Sequence, residues 1–321
     1  MLEDLTHAYT PLLVWIGLGL VFSRIAPDRF LRFIGQALYW VGVPLQLLVL
    51  ARQTKTTGIS LIPVAVSVGV LGLSLIIALV IWWGWQRFRQ KKHNQTAEDS
   101  SLIRASLGSF VLATILGNTG FVGLTLTQVL TSHDHSLNND WAVLFSVTNN
   151  VVGTYGIAIL IASYFGRKRS HDNWWIPLRD LITVPSLWAF IIGLNTQFVK
   201  LPSVVESGLN QSVLVVIACA LLLVGLRLGM IQGRKSWAIA SLASIIKVFI
   251  IPLLVGLGAT YMGIMGEERL VLVLMSGTPT GLSVLILAEV YDLDRDLLAS
   301  SIALTFIGLF LALPLWLFLF A

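Results

Sequence analysis

Ile115-Leu116-Gly117-Asn118-Thr119-Gly120-Phe121-Val122-Gly123 and Met275-Ser276-Gly277-Thr278-Pro279-Thr280-Gly281 each interrupt an apolar run near its middle. Glycine gives up the most backbone freedom in a helix, proline supplies no N–H, and asparagine competes for backbone hydrogen bonds. Both stretches therefore predict a broken helix. Asn118 and Thr278 lie 160 positions apart in a chain of 321 residues, about half its length.

The runs around the breaks set the fold class. Hydrophobic residues make up 56% of the chain and charged residues 12%, against roughly 25% charged in an average soluble domain. Mean hydropathy is +0.85. About 20 apolar residues cross a hydrocarbon core about 30 Å thick. Runs at 9–23, 30–50, 59–85, 102–131, 141–165, 178–198, 210–230, 237–262, 270–291 and 297–320 predict ten transmembrane helices. The expectation is an all-α membrane protein embedded in the lipid bilayer, without a sizeable domain outside it. Glu3 and Asp4 precede the first run, which does not resemble a cleaved signal peptide and is read as retained.

Charge gives an orientation. Arg24, Arg29, Arg32, Arg87, Arg89, Lys91, Lys92, Arg104, Arg167, Lys168, Arg169, Arg179, Arg227, Arg234, Lys235 and Arg295 fall on one side, sixteen in all. Arg52, Lys55, Lys200 and Arg269, four residues, fall on the other, and Lys247 lies inside a run. By the positive-inside rule the protein is expected in a bacterial-type inner membrane, multi-pass, with both termini outside the cytoplasm. The pI near 9.5 then reflects short basic loops, and no nucleic-acid partner is expected.

Each break occupies the fourth run of a five-run half, so residues 1–169 and 170–321 read as two repeats. An odd number of spans makes the halves enter the membrane in opposite senses, and matched interruptions mark the substrate site of inverted-repeat transporters. The physical basis is hydrogen bonding. A break in hydrocarbon orphans backbone groups at several kcal/mol each, so it persists only against protein or a watery cavity. Half-helices starting near Gly120 and Thr280 would aim their N–H groups and positive dipole ends at the crossing, where a carboxylate fits. Asn118, Thr119, Gly120, Thr278, Pro279 and Thr280 are the candidate substrate-binding residues.

Three further polar residues lie in apolar runs. Asn149 and Asn150 need partners in mid-membrane, as binding groups or in interhelical bonds. Lys247 would either attract an anion or serve a carbonyl left free by Pro252.

At these residues the chain resembles the auxin efflux carrier family, related in fold to the bile acid sodium symporters. The likeness lies in Gly117-Asn118-Thr119-Gly120-Phe121-Val122-Gly123-Leu124, in Lys247 with Pro252, and in Pro279 followed by Leu287-Ala288-Glu289-Val290-Tyr291. Thr125 departs from it, since family members usually carry a proline shortly after the fourth-run glycine. The resemblance implies a scaffold domain and a transport domain, each drawn from both repeats, and a bound organic acid: an auxin-like aromatic acid, malonate or another carboxylate. A homodimer is compatible with it.

Other residues have plainer readings. His7, His93, His133, His135 and His171 lie in loops or at the terminus, and no metal site or cofactor is expected. Every acidic residue lies in a loop or at a span end, with Glu289 the deepest and near the cytoplasmic interface, which weakens a mid-membrane proton or sodium relay through a carboxylate. Trp82, Trp83 and Trp85 beside Arg87, and Trp174 and Trp175 beside Pro177, suit interfacial anchors. Cys219, the single cysteine, excludes an intrachain disulfide. The segment 90–101 reads as a cytoplasmic linker. The expected activity is alternating-access transport of a small organic anion, with a sodium-coupled symporter of bile-acid-like anions as the alternative. A membrane sensor or enzyme ranks behind both, because no metal set, paired intramembrane carboxylates or Ser/His arrangement is present.

Overall fold

The computed structural model describes residues 2–53, 60–89, 97–131, 137–166, 185–229 and 237–321. Residues 90–96 of the 90–101 linker, the loop histidines His93, His133, His135 and His171, the cations Lys55, Arg167, Lys168, Arg169, Arg179, Arg234 and Lys235, the tryptophans Trp174 and Trp175 and the 169/170 repeat boundary lie outside the described residues, whereas 97–101, read as linker, already belong to a helix. The regular elements among the described residues are all helical.

They run in order as α1 (Leu2–Phe22), α2 (Asp28–Ala37), α3 (Val43–Gln53), α4 (Ile62–Arg89), α5 (Ala97–Ile115), α6 (Leu124–Leu130), α7 (Leu137–Thr148), α8 (Ile159–Phe165), α9 (Pro185–Thr196), α10 (Ser203–Gly229), α11 (Trp237–Ile245), α12 (Ile251–Tyr261), α13 (Gly266–Ser276), α14 (Ser283–Tyr291) and α15 (Arg295–Phe320). Wider π-helical turns occur at Leu38–Gly42, Thr119–Gly123, Asn149–Ala158 and Ile246–Ile250. Each of the ten apolar runs carries helix. Among the described residues, five helices are in themselves long and apolar enough to cross a membrane: Ile62–Arg87, Asp140–Phe165, Ser203–Gly229, Trp237–Tyr261 and Arg295–Phe320.

Two of the π turns have a covalent cause. Pro44 and Pro252 follow Leu38–Gly42 and Ile246–Ile250 within two residues. A proline ring clashes with the carbonyl four residues back, and widening the preceding turn relieves that clash without ending the helix.

Glycines set the closest helix contacts. α1 packs along α10 and α3 along α9. A β-carbon on Gly19 or Gly225 would overlap the facing backbone, and one on Gly193 would meet Ala51 Cβ and the Leu48 carbonyl at 2.7 Å. Small residues at such contacts let helices pack closely where lipid supplies no hydrophobic drive. α4, α5, α7, α11, α12, α13 and α15 pack around one another as the other large group. In it, Ser106 donates to Asp294 Oδ2 at 2.7 Å and Asp294 Oδ1 caps α15 at the Leu297 N–H, 3.0 Å. A small buried cluster of Leu31, Leu38, Ala220, Leu223 and Leu226 meets Phe121 and Leu282, the residues that follow the two breaks.

Candidate functional site

The broken helices touch each other at their breaks. Gly117 and Thr280 form an antiparallel bridge, in which Asn118 N–H donates to the Pro279 carbonyl at 2.7 Å and Gly281 N–H to the Leu116 carbonyl at 3.1 Å. The first helix resumes at Thr119, with Asn118 as its N-cap; Asn118 Oδ1 accepts from Phe121 N–H at 3.3 Å. The second resumes at Ser283, three residues later than expected, because the Pro279 carbonyl and Gly281 N–H are engaged across the bridge and hold the chain extended there.

Several of the backbone groups freed by the breaks find a partner close by. Thr280 Oγ1 donates to the Ala113 carbonyl at 2.8 Å, and Thr280 N–H donates to Thr305 Oγ1 at 3.1 Å. Lys247 Nζ, on a residue 1% exposed, donates to the Ile115 carbonyl at 3.2 Å. The lysine thus serves a carbonyl, as one of its two readings held, but that of the broken helix and not one freed by Pro252. Replacing Lys247 with methionine should leave the Ile115 carbonyl buried without a donor and destabilise the protein by about 1–3 kcal/mol, read as a lower melting temperature in detergent.

Close approach at the bridge requires Gly117, where a β-carbon would overlap Thr278 Oγ1 and come within 3.3 Å of Lys247 Nζ. At Gly123 a β-carbon would meet Met275 Sδ and Thr278 Cγ2 at 2.9 Å. Thr125, where proline was expected by resemblance, donates its hydroxyl to the Phe121 carbonyl. That is the carbonyl a proline ring there would have crowded.

Beside the bridge lies a cavity of about 160 Å³. Asn118, Thr119, Gly120 and Phe121 line it from the first break, Gly281, Leu282 and Ser283 from the second, and Asn150 and Thr154 from the π turn of the fifth run. Gly35, Leu38, Ala220 and Leu223 form the opposite wall, and Arg227 and Glu289 also face the space. Of the nine residues singled out from sequence, Asn118, Thr119, Gly120 and Asn150 reach this cavity. Thr278, Pro279, Thr280, Asn149 and Lys247 do not line it. Thr278 Oγ1 donates to the Met275 carbonyl at 3.1 Å, and Asn149 is buried with Oδ1 unpaired among the described residues. Asn150 Nδ2 donates to the Ser146 carbonyl at 2.8 Å.

One group at the cavity is left over. Asn118 is 6% exposed, its Oδ1 is committed to the cap, and its Nδ2 has no acceptor among the described residues. A buried donor in that state calls for an acceptor from elsewhere. Thr154, Ser283, Arg227 and Glu289 were missed in sequence. Arg227 had been counted with the interfacial cations, though its spacing of four residues from Leu223 and seven from Ala220 places all three on one helical face.

Residues 174–317 match the family of membrane transport proteins. An uncharacterized transporter of Methanocaldococcus jannaschii is 26% identical over 217 residues, 65% of this chain and 67% of that protein. An uncharacterized transporter of Methanothermobacter thermautotrophicus is 27% identical over 208 residues, 64% of this chain and 65% of its own length. These matches support the auxin efflux carrier family. They indicate a membrane transporter and not an enzyme. The family match includes the second break of this auxin-efflux-carrier-like chain, the one at Pro279.

Proposed function

We propose that the protein carries a small organic carboxylate across the membrane by alternating access, with the anion held beside the crossing of the two broken helices. The observation that carries this reading is the unpaired Asn118 Nδ2, a buried donor on a residue that lines a cavity flanked by the starts of two half-helices. A carboxylate oxygen supplies the missing acceptor and takes the favourable potential of both helix ends.

Size and packing support the rest. A volume of about 160 Å³ is below the roughly 300–1,000 Å³ of drug-sized pockets. It suits malonate or a single-ring aromatic acid better than a bile-acid-like amphipath. In this reading ten runs cross the bilayer as inverted halves, 1–169 and 170–321. Pairing of α1 with α10 and of α3 with α9 fits such symmetry, since it joins the first run to the seventh and the second to the sixth. These four helices form a scaffold against which the others move. The sixteen-to-four split of Lys and Arg supports an orientation with the termini outside the cytoplasm of a plasma membrane. The sodium-coupled alternative draws less support, because the buried unpaired group on the cavity's described lining residues is a donor, and a cation needs oxygen acceptors.

Malonate and phenylacetate should raise the melting temperature of the detergent-purified protein, whereas malonamide and phenylacetamide should not. Ligand at 100 times its Kd stabilises by about 2.7 kcal/mol. Equal shifts with acids and amides would remove the anion from the account. Uptake into proteoliposomes should proceed equally with and without a sodium gradient, and a strict requirement for sodium would favour the symporter.

A further inference from the structure

The cavity beside the crossing has one cation among its described lining residues, Arg227. It sits in the last turn of α10, half-buried, and no hydrogen bond or ion pair ties its guanidinium to another described residue. Ala220, Leu223 and Arg227 follow one face of α10, and Leu282, Leu285 and Glu289 repeat the same spacing on the facing chain that leads into α14. Ala220, Leu223 and Leu282 meet in one apolar cluster. From that level each chain runs seven residues further, roughly 10 Å of helix rise, and ends on a charge lining the same cavity. Glu289 is exposed and Arg227 is partly withdrawn from water. Solvent and salt screen the exposed charge more strongly than the withdrawn one, which weights the field inside the mouth toward the arginine.

We propose that Arg227 is the charge-selecting residue of this cavity: its guanidinium admits anions through the mouth and disfavours cations, with Glu289 opposite moderating the attraction so that the anion can leave. The inference rests on the reading of the cavity as the substrate site, and it names what sets the sign of the cargo at the entrance. Residues that project field into a narrow cleft change encounter rates by about 10- to 1,000-fold.

The test needs no identified substrate. Cys219 is replaced by serine and a single probe thiol is placed on the cavity wall by Ser283→Cys. Reaction rates are measured with methanethiosulfonates of equal reach bearing a sulfonate, a trimethylammonium or no charge. With Arg227 in place the sulfonate should react faster than the ammonium relative to their rates with a free thiol. Arg227→Gln should lower that ratio about 10-fold, Arg227→Lys should keep most of it, and Glu289→Gln should raise it. The neutral reagent reports whether the mouth itself has changed. If Arg227→Gln disturbs the neutral rate, the lysine and glutamine variants at 227 and 289 carry the test. An unchanged ratio in Arg227→Gln, or a ratio that ignores Glu289→Gln when the neutral rate is intact, overturns the proposal. A ratio that shifts as expected while carboxylates fail to stabilise the protein would keep the selective mouth and dismiss the substrate site. Carboxylate stabilisation with an unmoved ratio would do the reverse.

Discussion

Gly117→Val should prevent the protein from accumulating as a monodisperse species in detergent, or lower its melting temperature severely, whereas Gly120→Ala should leave both nearly unchanged. The glycines are three residues apart in the same break, yet a β-carbon on Gly117 meets Thr278 Oγ1 and Lys247 Nζ while one on Gly120 meets nothing within 4 Å. A valine at 117 has to push the two broken segments apart. The bonds from Asn118 N–H to the Pro279 carbonyl and from Gly281 N–H to the Leu116 carbonyl are then lost, along with that from Lys247 to the Ile115 carbonyl. Overpacking alone costs about 1–3 kcal/mol, and each buried group left unpaired adds about 1–3 kcal/mol. The expected total is comparable with the whole stability of a typical folded domain, roughly 5–15 kcal/mol. Equal behaviour of the two variants would show that the crossing is not held by close backbone contact.

The breaks were legible in the sequence because their cause is local. Gly117, Asn118, Gly120, Gly277, Pro279 and Gly281 each disfavour a helix through their own backbone chemistry, and no tertiary contact is needed to see it. How the breaks pair was not legible. The antiparallel bridge between Gly117 and Thr280 joins residues 163 positions apart, and no periodicity in either stretch encodes it.

The same limit applied to side-chain facing. An apolar run gives depth but not rotation, so Asn149 and Asn150 could not be told apart, although only Asn150 reaches the cavity. Thr278 and Thr280 had the right chemistry for a ligand, but both hydroxyls donate to backbone carbonyls, and Thr280's answers a carbonyl that the other broken helix leaves free. Arg227 was hidden for a different reason. An arginine near the end of an apolar run is what the positive-inside rule leads one to expect, so nothing in its position set it apart until the cavity wall was seen.

The second large effect is expected at Asn118, where two roles can be separated. Aspartate caps a helix as well as asparagine does, so Asn118→Asp should keep the bond from Phe121 N–H and an intact fold. It removes the Nδ2 donor and sets a carboxylate where the substrate's carboxylate would lie. Like charges brought together at a binding surface cost several kcal/mol, so affinity for a small carboxylate should fall about 100-fold or more, while the melting temperature of the ligand-free protein should change little. Asn118→Ala removes donor and cap together and should lower both.

The most direct measurement is therefore a titration of the purified wild-type and Asn118→Asp proteins with a small carboxylate such as malonate, followed by melting temperature or calorimetry. The account predicts saturable stabilisation of the wild type and none for Asn118→Asp over the same concentrations, with both proteins folded. Undiminished malonate binding by a folded Asn118→Asp protein would place the anion elsewhere and contradict it.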